Sequence, residues 1–124
     1  MTDKKLNNEK QWMLFYVLLN ERGNFSEISN VELKGELNSL WFHHILPKSK
    51  FPLLRFCPDN IIIVTADEHA LIESGHNFVE VESRKDSIRE NYEELVKQSK
   101  YYLDTFLNPI YDHSKKHTTF FKKH

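Results

Sequence analysis

Seven histidines stand in a chain of 124 residues, and four of them, His43, His44, His69 and His76, fall close together. Their context reads His43-His44-Ile45-Leu46-Pro47-Lys48-Ser49-Lys50, then Asp59-Asn60-Ile61-Ile62, then Glu68-His69, with Glu73 four positions on and Gly75 after it. A neutral imidazole, with an unperturbed pKa of about 6.5, can accept a proton or bind a metal at pH 7. The single Cys57 excludes an internal disulfide and any Cys-rich zinc framework. Any metal here must therefore be held by His, Asp or Glu.

The elements that must position these residues follow from periodicity and end signals. Residues 40–45 are aromatic and β-rich and read as a strand, and residues 61–65 form a second, β-branched run. Between them, Pro47, Pro52 and Pro58 forbid a continuous helix or a central strand. A loop of that length in so small a domain is either functional or firmly pinned. Thr65 can cap a short helix over residues 66–74, with Glu68 at its third position and Gly75 closing it.

Around this strand, loop, strand, helix unit, residues 8–22 read as a helix, with Asn8 as N-cap, Gln11 at the capping-box position and Gly23 past the end. Residues 25–40 are ambiguous. Ser29 and Glu32 could form another capping box, but the alternation around Glu27, Ile28, Val31 and Leu33 suits a short hairpin, which is the preferred reading. A longer helix is expected over residues 84–107, with Ile88, Tyr92, Leu95, Ser99, Tyr102 and Phe106 along one stripe and Pro109 ending it. The tail, residues 110–124, carries Lys115, Lys116, Lys122 and Lys123 against Asp112, a local charge of +3.

In order, spacing and the Pro-x-Ser detail, residues 41–75 resemble the HNH nuclease family. That family's ββα-metal unit reads His-His-Ile-x-Pro-x-Ser, then Asn at the start of the second strand, then a metal-binding His on the helix. The resemblance implies an α+β fold in a single domain over residues 1–124: a ββα-metal unit with a long pinned loop, flanked by an N-terminal helix and a long C-terminal helix. It implies that His43 is the first metal ligand and that His44 is the general base for the attacking water. Asn60 would pin the loop by hydrogen bonds and hold the His pair in register, and His69 would be the helical metal ligand.

Family members often carry a further His where this chain has Glu73, which shares a helix face with His69 and can reach the same ion. A carboxylate at that position favours Mg²⁺ or Mn²⁺, although Zn²⁺ also accepts His and Glu. His76 stands as a reserve ligand. Residues 25–33 lack the paired Cys of many relatives, so that segment is expected to be held by packing alone. Strict alternation points His43 and His44 to opposite faces, so sharing one site requires a curled strand end or a phosphate bound beside the metal.

The implied reaction is phosphodiester hydrolysis with one divalent cation, Lys48, Lys50 and Arg55 supplying positive charge for backbone phosphates. DNA is the favoured substrate and RNA is not excluded. The alternative is a catalytically weak ββα module that uses its metal to fold or to bind nucleic acid or protein. Sequence choice would come from the flanking helices or from a protein partner.

Composition sets the outer limits. A chain of 124 residues that is 40% hydrophobic and 28% charged is expected to form one folded domain and not a large multidomain enzyme. Lys plus Arg is 17 against 18 for Asp plus Glu, a net charge of -1, so no global basic excess marks a nucleic-acid partner. Residues 66–96 hold nine acids against three bases and are expected to face away from any nucleic acid. Residues 1–10 have no apolar signal region, and residues 12–19, the longest apolar run, are too short to span a bilayer. The expectation is a cytoplasmic protein with no membrane partner.

Overall fold

The computed structural model describes residues 3–115. Its centre is a two-stranded antiparallel sheet, β1 (Phe42–His44) paired with β2 (Ile61–Ile63) in the register Phe42↔Ile63, His43↔Ile62 and His44↔Ile61. All three isoleucines of β2 are buried, because both faces of the sheet are covered. Period-2 alternation divides them: Ile61 and Ile63 enter a core with Phe42, Leu14 and Leu18, while Ile62 enters another with Leu46, Leu54 and Ile88. Each strand is shorter than its apolar run, since a 3₁₀ turn at Ser39–Trp41, capped by Asn38, replaces the start of the first.

The first helix, α1, runs Asp3–Arg22 and begins five residues before the expected start at residue 8. Leu6 packs on the core and carries the helix outward, so Asn8 and Gln11 lie within it and do not cap it. Gly23, at φ +88°, ends it in the left-handed conformation that glycine adopts freely.

In residues 25–33 the hairpin reading reduces to a single bridge, Phe25↔Glu32, and the capping box of Ser29 and Glu32 does not form. The segment is not held by packing alone. Glu27 N donates to Ile63 O at 2.8 Å and its Oε2 accepts from Ile63 N at 2.6 Å, while Ser26 Oγ donates to Glu68 Oε1 at 2.6 Å. Arg22 and Arg84 flank Glu27 at 3.1 and 3.9 Å.

Helix α2 (Ala66–Glu73) starts at the expected capping box: Thr65 Oγ1 accepts from Glu68 N and Glu68 Oε1 accepts from Thr65 N. Beyond it, one helix over residues 84–107 is not what forms. The chain builds α3 (Val79–Glu90), α4 (Tyr92–Tyr102), a π-helical segment (Leu103–Leu107) and α5 (Asn108–Lys115). Asn91 makes the break, because its side-chain and backbone N–H groups both donate to Ser87 O. Pro109 does not end the helix. It follows closely on the π-helical segment within a continuous helical run, in which Tyr102, Leu103 and Asn108 all keep right-handed helical backbone, so an irregular turn and not a helix end accompanies it. The helix continues to Tyr111, which is buried and hydrogen-bonds Glu9 of α1.

Of the basic tail expected over residues 110–124, residues 110–115 belong to α5, and the rest, with Lys116, His117, Lys122, Lys123 and His124, lies outside the described residues. Among those described, no helix is long and apolar enough to cross a membrane.

Candidate metal centre

The Thr65 cap fixes where α2 begins and thereby the direction of His69, whose backbone N–H reaches Thr65 O at 2.9 Å. The His69 ring then lies edge-on to that of His43 on β1, with centroids 5.5 Å apart. Its Nδ1 is 2.8 Å from Leu40 O. A carbonyl can only accept, so Nδ1 donates and Nε2 is the nitrogen turned to Glu73 Oε1, 3.2 Å away. Such a backbone contact is how proteins fix the tautomer of a metal-binding imidazole. One donor atom each from His43, His69 and Glu73 lies within 4.8 Å of the others. Donors at about 2.1 Å from one ion stand roughly 3 to 4 Å apart; His69 Nε2 and Glu73 Oε1 already do at 3.2 Å, so a small adjustment among the three side chains lets the trio hold a cation.

His44, one residue along β1, belongs to a different network. Its Nε2 donates to Arg55 O at 3.0 Å, which leaves the lone pair on Nδ1. Burial pushes its pKa down to about 4, opposed by the Arg55 carbonyl and reinforced by the charges of Lys48 and Arg55. His43 is pushed down to about 4 as well, first by burial, then by His69, with Glu73 acting against the shift and Lys85 adding to it. Both rings are therefore neutral at pH 7, the state in which imidazole binds a metal or takes a proton.

Asn60 is fully buried beneath the loop. Its Oδ1 accepts from Leu46 N at 2.8 Å, and its Nδ2 donates to Leu46 O at 3.0 Å and Leu54 O at 3.4 Å. Its own carbonyl accepts from Ile45 N at 2.8 Å. One side chain thus ties both ends of the loop that begins just after His44 and carries the Arg55 carbonyl.

His43 and His44 line one cleft of about 840 Å³ that wraps the end of β1. Lys48 and Lys50 line it too, but Arg55 does not: its Nε and Nη2 donate at 2.8 Å to Gln11 Oε1 and Asn8 Oδ1 on α1. His76 lies past α2 against Phe78, centroids 4.5 Å apart, and is not among the three converging donors.

Two cations of the cleft were missed in the sequence. Lys85 and Arg89 of α3 reach the cleft from a stretch expected, on its acidic balance, to face away. A net count over a helix discards direction: positions 85 and 89 share one face, whatever charges occupy the others. Glu73 is the one carboxylate lining the cleft, against the cations of Lys48, Lys50, Lys85 and Arg89. Compared with family models, curated proteins and solved structures, the chain matches none.

Proposed function

We propose that this protein is a metal-dependent endonuclease of the HNH type that hydrolyses DNA phosphodiester bonds, its strand, loop, strand, helix unit serving as a ββα-metal unit. The observation that carries the reading is the division of labour on β1: His43 converges with His69 and Glu73, while His44, which lines the same cleft, has Nε2 on a backbone carbonyl and so keeps its lone pair on Nδ1.

Held by His43, His69 and Glu73, a divalent cation would supply a Lewis acid for the scissile phosphate and the departing oxygen. Two imidazoles with one carboxylate make a mixed donor set. Mn²⁺ accepts both donor types, whereas Mg²⁺ prefers oxygen and Zn²⁺ suits imidazole, so Mn²⁺ is the best fit, with Mg²⁺, favoured by the carboxylate, and Zn²⁺, favoured by the two imidazoles, as alternatives. His44 takes the proton of the attacking water at Nδ1, and its Nε2–H stays on Arg55 O as the ring becomes charged. A phosphate anion entering beside His44 raises its pKa from about 4, bringing the base closer to working pH. Asn60 keeps the loop closed so that the Arg55 carbonyl stays under His44. Lys48 and Lys50 supply charge for phosphates.

The test is plasmid nicking with Mn²⁺, Mg²⁺ or Zn²⁺, with single-stranded RNA in parallel. Wild type is expected to convert supercoiled plasmid to open circle, and His44→Ala to slow this by about 10² to 10⁴, the range of a general base. An intact plasmid under all three ions rejects the reading. If metal and DNA still bind, the catalytically weak module takes its place, and RNA cut in preference to DNA changes the substrate.

A further inference from the structure

The cleft draws its cations from two elements far apart in the chain: the loop after β1 contributes Lys48 and Lys50, and α3 contributes Lys85 and Arg89. Lys85 is half-buried, pairs with Glu82 at 3.3 Å across one turn, and sits close enough to His43 for its charge to be felt there. That pair is solvent-accessible and of a kind that contributes little. Arg89 is exposed and its guanidinium has no hydrogen bond or ion pair among the described residues. Elsewhere in the molecule arginines are engaged: Arg22, Arg55 and Arg84 each donate to carbonyl or amide oxygens. A planar fork of donors left open at the rim of a cationic cleft matches a phosphate, which guanidinium binds through paired hydrogen bonds.

Resting on the nuclease reading of this cleft, we propose that Lys85 and Arg89 form a second backbone-phosphate site opposite Lys48 and Lys50. The nucleic-acid strand then crosses the metal centre between the loop and α3, with cations on both sides of the scissile bond. Four residues apart on one helix face, Lys85 and Arg89 address neighbouring points of the strand. Glu90, Glu93 and Glu94 follow directly and line a separate groove with Arg89, so their repulsion ends the track there. Arg55 leaves the phosphate-binding set, because Asn8 and Gln11 hold it outside the cleft.

The experiment is fluorescence anisotropy of a labelled DNA duplex with full-length, EDTA-treated protein, titrated at several salt concentrations. Lys85→Gln with Arg89→Gln is expected to bind about tenfold more weakly at 100 mM salt, and to lower the slope of log K against log salt by about two, one per lost phosphate contact. Lys34→Gln, an exposed cation that does not line the cleft, is expected to change neither. If the double variant keeps the wild-type slope while Lys48→Gln with Lys50→Gln loses it, the second phosphate site is wrong and the nuclease reading stands. If wild type fails to bind the duplex even at 50 mM salt, both fall.

Discussion

The surroundings of the two histidines of β1 differ in how completely their polar groups are used. In the loop that follows His44, the Arg55 carbonyl holds His44 and the Arg55 guanidinium is clamped to α1, while the buried Asn60 hydrogen-bonds Leu46 and Leu54 through both its amide oxygen and its amide nitrogen. On the His43 side, His69 Nε2 and Glu73 Oε1 face each other at 3.2 Å at the edge of solvent, with two-thirds of the Glu73 side chain exposed. One side is built to stay still and the other to receive something. The single-residue step from His43 to His44 separates them, because successive side chains of a strand leave on opposite faces.

The largest effect is expected where the closed side is opened. Asn60→Ala strands the N–H and C=O of Leu46 in the interior, and each buried polar group left without a partner costs about 1 to 3 kcal/mol. The expected loss is about 3 kcal/mol, read as a fall of roughly 10 °C in Tm by calorimetry. A fall of only a degree or two would mean that the loop is held by packing and that Asn60 is dispensable.

A smaller effect is expected from Arg55→Ala, which frees the loop from α1 without leaving a buried group unpaired. With the Arg55 carbonyl less well placed under His44, kcat is expected to fall about tenfold with KM nearly unchanged, and Gln11→Ala to follow it in the same direction. A rise in KM with kcat preserved would restore Arg55 to the phosphate contacts.

An effect of a different kind, spread over pH 6.5 to about 4, is that of pH on the metal-free protein. His43 and His44 take up protons at about pH 6.5 in the unfolded chain but only at about pH 4 in the folded one. Between those values the unfolded state binds more protons, so stability rises with pH there and is lost as pH falls from 6.5 toward 4. Denaturant midpoints are expected to be flat from pH 7 to 8 and to decline below 6.5. His44→Gln is expected to shallow that decline, and an unchanged slope would show that the ring is not buried neutral.

Much of this arrangement was legible in the sequence where local chemistry decides. The Thr65 and Glu68 box, the triple isoleucine and the proline-punctuated loop each point to their structure through the preferences of a few neighbouring residues. What was not legible depends on pairings across the chain. Asn8 and Gln11 carry a capping pattern, yet they serve Arg55, 47 and 44 positions away. Glu27 gives no local signal of its bond to Ile63. The long C-terminal stripe showed neither the break at Asn91, set by a side chain competing for a helical carbonyl, nor the passage through Pro109. Lys85 and Arg89 were hidden by averaging charge along a helix whose faces point in different directions.

The most direct test of the division along β1 is Mn²⁺ titration calorimetry on wild type, His43→Ala, Glu73→Ala and His44→Ala. One ion per chain is expected for wild type and for His44→Ala. Glu73→Ala is expected to bind about 10- to 100-fold more weakly and His43→Ala not measurably. Wild-type affinity in His43→Ala, or loss of binding in His44→Ala, would contradict the assignment of ligand and base to the two faces of the strand.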